Sequence, residues 1–275
     1  MTTEERKDLD ISGSGKVSGG AYADVDISGA GTVTGDLYCE NLDCSGAGHI
    51  DGNLECEEDM DCSGSFHCSG NIQTDGIDAS GSFRCDGDLK AGEVDASGSF
   101  KIGGILSAKG LDISGGVSAK AIHAGRVEVD GSLVVEDGVE AEYFSLEGAA
   151  SIPGLLNAEE IDITANPSVK IGDIGGSKIT ITDGLGGNNG IVINLGGSRT
   201  INIQPGIFSM QRKKAVGNMT VNTIEGDEIS LESVIADVVR GRVVTIGEHC
   251  KIRRVEYSES LRNEPDTVDE VVKTE

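Results

Sequence analysis

The sequence predicts an all-β chain, a parallel and triangular β-helix (solenoid) of about 17 residues per turn. Three observations carry this expectation. A Ser-Gly pair follows an apolar–acid–apolar triplet at Ser12, Ser28, Ser45, Ser63, Ser80, Ser97 and Ser114, in steps of 16, 17, 18, 17, 17 and 17 residues. So regular a period marks a stacked repeat. Within each repeat, apolar residues fall in three pairs spaced by two, the side-chain period of a strand. Glycine is abundant (41 of 275 residues) and proline scarce (4), as many short strands and tight corners require.

The first strand of each repeat places Leu9, Val25, Leu42, Met60, Ile77, Val94, Leu111 and Val127 inward. Ile11, Ile27, Cys44, Cys62, Ala79, Ala96, Ile113 and Val129 follow two residues on. The Ser-Gly corner comes next; Gly13, Gly29, Gly46, Gly64, Gly81 and Gly98 are expected there because a left-handed backbone is cheap for glycine. The second strand offers one column of Gly15, Gly31, Gly48, Phe66, Phe83 and Phe100, and another of Val17, Val33, Ile50, Cys68, Cys85 and Ile102. Phe66, Phe83 and Phe100 are expected to stack, and the first rungs to be thinner where that column is glycine. The third strand pairs Ala21, Leu37, Leu54, Ile72, Leu89 and Leu106 with Ala23, Cys39, Cys56, Thr74, Ala91 and Ala108. No rung buries enough to stand alone, so stability comes from stacking.

These readings divide the chain into a short tail at 1–8, a β-helix at 9–163, an irregular Gly-rich β extension at 164–220, further rungs at 221–257 and a disordered acidic tail at 258–275. Roughly nine rungs up to residue 163 would make a rod on the order of 40 Å long. In the extension, Ile179, Ile181, Ile191, Ile193, Ile201 and Ile203 alternate strictly, as in wider rungs or inserted hairpins.

Seven cysteines invite a metal or disulfide. Six of them occupy inward columns in place of Ile, Val, Ala or Thr, with no close C-x-x-C pair, so they read as core. His49 and His67 share an outward column with Lys16, Thr32, Arg84 and Lys101, a solvated face. "GGNNGIVIN" (186–194) is faintly similar to a calcium-binding β-roll repeat but lacks its Asp. "IGEHCKI" (246–252) matches a single hexapeptide of left-handed β-helix acyltransferases and is expected to cap the last rungs. No metal and no cofactor is expected. No Ser-His-Asp set, oriented Cys-His pair or phosphate loop is present, so no catalytic residue is assigned.

The acidic position is the informative one. Asp10, Asp26, Asp43, Asp61, Asp78, Asp95, Asp112 and Glu128 form one outward column, an acidic ladder at about 5 Å spacing. Like charges directly opposite one another repel. The ladder is either a solubilising face that blocks lateral association or a surface for cations or a basic partner. Arg212, Lys213, Lys214, Arg240, Arg242, Lys251, Arg253 and Arg254 cluster late and could meet the ladder of another subunit. The net charge of −25 opposes nucleic acid and anionic lipid as partners. "MTTEERKDLD" has no apolar signal region, and no segment approaches a membrane span. A cytoplasmic chain without direct membrane insertion is expected.

A rod of stacked strands ends in unpaired edges and open apolar columns, which self-association would bury. Leu9, Ile11 and Val17 at one end, and Val244, Ile246 and Ile252 at the other, are the candidate polymerisation residues. "LDISGSGKVSGGAYADVDISGAGTVTGDLYCENLDCSGAGHIDGNL" (9–54) resembles the repeat of the bactofilins, bacterial polymer-forming cytoskeletal proteins. "VNTIEGDEISLESVIADVVRGRVVTIGEHCKIRRVEY" (221–257) resembles the C-terminal part of the longer Gram-positive members. The resemblance implies a right-handed β-helix that polymerises without nucleotide. It also implies a cytoplasmic scaffold for envelope, cell-shape or motility components, with itself and envelope, cell-wall or flagellar proteins as partners. Two departures stand out: the 165–220 segment, and the lack of the apolar amino-terminal segment of some members. A non-polymerising adaptor using its acidic face, and more remotely a carbohydrate-active β-helix enzyme, are the alternatives.

Overall fold

The computed structural model describes residues 6–184, 192–194, 200–202 and 219–274. Among these, 23 strands form one parallel sheet, coiled into a β-solenoid of about 14 turns with about 17 residues per turn. The fourth turn shows the unit: Asp59–Asp61, Ser65–Cys68 and Ile72–Gln73. Each strand pairs with its equivalent one turn on. Met60, Ile77 and Val94 align, as do Phe66, Phe83 and Phe100, and Ile72, Leu89 and Leu106. The rod therefore has three sides. We call them the aspartate face (first strand), the small-residue face (second strand) and the third face.

The core keeps its volume by exchange between neighbouring columns. Where the second strand carries Phe83 and Phe100, the inward residue ahead of the corner shrinks to Ala79 and Ala96. Where it carries Gly31, the isoleucines take the space: a Cβ there would meet Ile11 Cδ1 at 2.9 Å and Ile27 Cγ2 at 3.0 Å. The first rungs are thus filled by isoleucine, contrary to the thinning expected from glycine alone. Phe66, Phe83 and Phe100 are fully buried. Their rings stack at centroid distances of 5.2 and 4.6 Å, within the favourable range for aromatic pairs.

The Ser-Gly corners need glycine for a different reason than the sequence indicated. Gly13, Gly29, Gly46, Gly64, Gly81 and Gly98 do not have positive φ. Consecutive corners instead pack backbone on backbone. A Cβ on Gly81 would lie 1.9 Å from the Gly64 carbonyl oxygen, while the Ser82 amide donates to that same oxygen at 2.9 Å. Before the third strand, a side-chain ladder satisfies the corner amides. The amides of Asn53, Asn71, Asp88 and Ile105 donate to Oδ1 of Asp36, Asn53, Asn71 and Asp88, at 2.8, 2.9, 2.8 and 2.8 Å.

Two expected boundaries move. Val169–Asp183 is a full rung, stacked between Ala149–Ala165 and Met219–Leu231. The extension expected at 164–220 therefore shrinks to an insertion after Asp183. Thr223 bonds back to Asp173 across 50 residues, where regular rungs use 17. Within the insertion, Val192–Asn194 and Thr200–Asn202 pair antiparallel. Ile191, Ile203, Arg212, Lys213 and Lys214 lie outside the described residues.

The segment 258–275, expected to be a disordered acidic tail, instead continues the solenoid. Lys251–Asn263 and Val268–Lys273 are parallel strands. Its apolar residues carry on the inward columns, and its acids find cations across the rungs: Glu259 with Arg242 at 2.9 Å and Glu270 with Arg254 at 3.6 Å. "IGEHCKI" is consequently no cap, because another rung covers it. Its corner, like those on either side, turns on a left-handed non-glycine residue: Ser233, His249 and Asp266 have φ of 56°, 61° and 61°.

Candidate functional site

Parallel in-register pairing forces the acidic column to stack. Asp10, Asp26, Asp43, Asp61, Asp78, Asp95, Asp112 and Glu128 align rung upon rung. The aspartates are exposed, and Ser145 ends the acidic run. Burial against the sheet, then the charges of Asp61 and Asp26, push the Asp43 carboxyl above its ordinary value. Burial, then Asp95 and Glu128, do the same to Asp112.

Beside the ladder runs a second column in which glycines interrupt the side chains. Asp59 leans over Gly76, and Glu93 leans over Gly110; a Cβ on either glycine would strike the carboxylate. The result is an open groove of about 600 Å³ along the aspartate face, from Asp59 to Arg126 and Glu128. Arg126 closes it, donating through Nε to Glu128 Oε2 at 2.9 Å and lying 4.6 Å from the centre of the Tyr143 ring. This pair was not singled out from the sequence, because it appears only where the Asp column switches to Glu.

The carboxyl-terminal rungs alternate charge instead. Arg240 sits between Glu225 at 3.6 Å and Glu256 at 2.8 Å, and Arg242 between Glu228 at 3.1 Å and Glu259 at 2.9 Å. Arg240 and Arg254 hold the Glu256 carboxyl below its usual value. Arg253 faces Asp237 at 3.6 Å. These arginines, which the sequence offered either to another subunit's ladder or as ordinary surface charge, have local partners.

The small-residue face carries Lys16, Thr32, His49, His67, Arg84 and Lys101 in one column. The rings of His49 and His67 lie 4.7 Å apart. Asp86 accepts from His67 Nε2 at 2.9 Å and Arg84 Nε at 2.6 Å, and His67 and Arg84 depress its pKa.

All seven cysteines are buried and unpaired. Several do more than fill space. Cys56 Sγ donates to the carbonyls of Glu40 and Asp59, both at 3.3 Å. Thr74, one rung on in that column, makes the equivalent bonds to Glu58 at 2.8 Å and Gly76 at 3.2 Å. Burial pushes the thiols of Cys68 and Cys250 up to about 11 and that of Cys85 to about 12. Among the described residues, no group of three or more His, Cys, Asp or Glu is placed to hold a metal ion, and no helix is long and apolar enough to cross a membrane.

The two ends of the rod are open among the described residues. At the amino-terminal end Leu9 and Val17 are half-buried, whereas Val25 and Val33 above them are buried; Ile11 is already buried. At the other end, Val244, Ile246 and Ile252 are not terminal. Leu261, Asn263 and Val268 of later strands align with them, and all three are buried. The inward-column residues left partly uncovered there are Leu261, Val268 and Val271, the last 49 % exposed. The alternation in "VDEVV" was the clue to this, and its acidity obscured it.

No family model matches the chain, and no solved structure does. Over 69 residues it is 38 % identical to the uncharacterized protein YhbF of Bacillus subtilis (strain 168). That match covers 25 % of this chain and 28 % of YhbF.

Proposed function

We propose that the chain is a non-enzymatic structural scaffold whose rods join end to end into filaments without nucleotide. Its setting is the cytoplasm, where it organises envelope, cell-shape or motility components. The observation that carries the reading is the pair of open ends. Val271, Leu261 and Val268 continue columns that are otherwise buried, and the strand edge they lie on has no partner in the described chain. A second rod would supply that partner and cover the apolar residues. The bactofilin-like repeat supports the same reading.

Electron microscopy of the purified chain at physiological salt tests it. Filaments are expected, lengthening with concentration. Val271→Asp and Leu261→Asp should shorten or abolish them. Val134→Asp, on a solvent-facing residue that is already 46 % exposed, should leave them intact. Monodisperse single rods at every concentration would sink the proposal and favour a non-polymerising adaptor.

A further inference from the structure

We infer that the rods also associate side by side, the aspartate face of one copy docking on the small-residue face of another. The contact does not depend on end-to-end joining.

Charge singles out the partner surface. In the first eight rungs the aspartate face bears the ladder with Asp8, Asp24, Asp59 and Glu93, against Lys7 at the start of its first strand and Arg126, which is held by Glu128. The third face is acidic as well, with Asp36, Glu40, Glu55, Asp75 and Asp88 outnumbering Lys90 and Lys109. Only the small-residue face has an excess of cations, over its first seven rungs, Glu136 and Asp137 following in the eighth. Lys16, Arg84, Lys101 and Lys120 oppose Asp51 and Asp86, and Asp86 is already paired with His67 and Arg84. In a chain of charge −25, this is the side that another copy's carboxylates can approach.

Pitch and shape agree with charge. Both columns repeat at the rung spacing, because both belong to one hydrogen-bonded stack. Two rods lying side by side therefore keep cations and carboxylates in step along their length. Next to the cations runs a column of Ser14, Ala30, Ala47, Ser65, Ser82 and Ser99, in which nothing longer than serine blocks approach. On the facing side, the Asp59 and Glu93 carboxylates lie over Gly76 and Gly110 and line the groove that lysine and arginine heads would meet. Where the fold neutralises its own surface, it alternates charges, as in Glu225–Arg240–Glu256. The ladder is left without that internal compensation.

Seven rungs of about 4.8 Å and strands of about five residues bring together a face of roughly 550 Å² per partner. That is below the roughly 800 Å² per partner of a stable interface, so the association is weak and salt-labile. It is also heterologous, so it propagates into ribbons or sheets rather than closing into a dimer.

The test is light scattering with electron microscopy at about 10 mM and about 1 M salt, where the screening length falls from about 30 to about 3 Å. Lateral arrays are expected at low salt and their loss at high salt. The variant Lys16→Glu/Lys101→Glu/Lys120→Glu should not form them, and neither should Asp78→Lys/Asp95→Lys. Mixing the two variants should restore side-by-side pairs that do not grow into arrays, because each supplies only the one face the other lacks. Lateral arrays that persist in the lysine variant, or mixing that restores nothing, would overturn the inference. So would binding of polylysine to the ladder with no self-association at low salt. Thin filaments without arrays would sink this contact and leave end-to-end joining standing; arrays of short rods would do the reverse.

Discussion

The glycine at the Ser-Gly corner gives the sharpest test of how the rungs pack. An Ala side chain at Gly81 would put Cβ 1.9 Å from the Gly64 oxygen, 2.6 Å from the Ser63 oxygen and 2.9 Å from the Gly64 carbon. All three are backbone atoms, so no side chain can swing aside. Relief requires the corners to part by about 1 Å or more, whereas a backbone hydrogen bond tolerates only a few tenths of an ångström. The bonds from Gly81 N to Cys62 O (3.2 Å) and from Ser82 N to Gly64 O (2.9 Å) would be lost with the parting. Overpacking costs about 1–3 kcal/mol and each bond about 1 kcal/mol, so Gly81→Ala should destabilise by about 3–5 kcal/mol. Gly116→Ala is the matched control. It lies mid-rod in the small-residue column with nothing within 4 Å of its Cβ position, and should be neutral or stabilising by up to about 1 kcal/mol through the unfolded chain. Guanidinium unfolding compares the two. Amide exchange at Ser82 reports the corner directly, which matters because a long repeat stack need not unfold in one step. Equal midpoints for the two variants would refute the packing argument, since only a loose corner could take the methyl group without loss.

Three other outcomes follow from the same geometry. Asp43→Asn and Asp112→Asn should each raise the melting temperature at pH 7. A carboxyl whose folded pKa is raised stabilises below its unfolded pKa, and that contribution is lost as pH rises through the folded value. The advantage of both variants should therefore shrink as pH falls toward the ordinary aspartate range, and a constant advantage would rule out the raised pKa that burial and then the neighbouring carboxylates produce. Phe83→Ala removes the middle ring of the stack and should cost about 3–5 kcal/mol, read by denaturant unfolding; a loss under about 1 kcal/mol would mean that Phe66 and Phe100 close the gap. The buried thiols should resist alkylation at pH 8 in the native state and react together on unfolding, because burial keeps Cys68, Cys85 and Cys250 protonated with pKa values near 11 to 12. Rapid native labelling of several cysteines would contradict their placement.

Period and alternation alone determined the solenoid, its three strands per turn, the inward columns, the acidic ladder and the phenylalanine stack. Parallel in-register pairing leaves a residue only two choices, in or out, and a fixed repeat then stacks like on like. What a column does to its neighbour was not legible. The exchange between Ala79 with Phe83 and Ile27 with Gly31 depends on how two strands share one core. The requirement for Gly81 depends on the backbone of the rung beneath it, 17 residues earlier. The strands after Tyr257 were hidden because "ESLRNEPDTVDEVV" reads as polar and acidic along the chain. Only when Glu259 meets Arg242 and Glu270 meets Arg254 across rungs does that segment become a strand, and these encounters exist only once the chain is coiled. The sequence by itself thus settled which residues share a column. The tertiary structure decided which columns touch, and so which charges are neutralised within the rod and which are left facing outward.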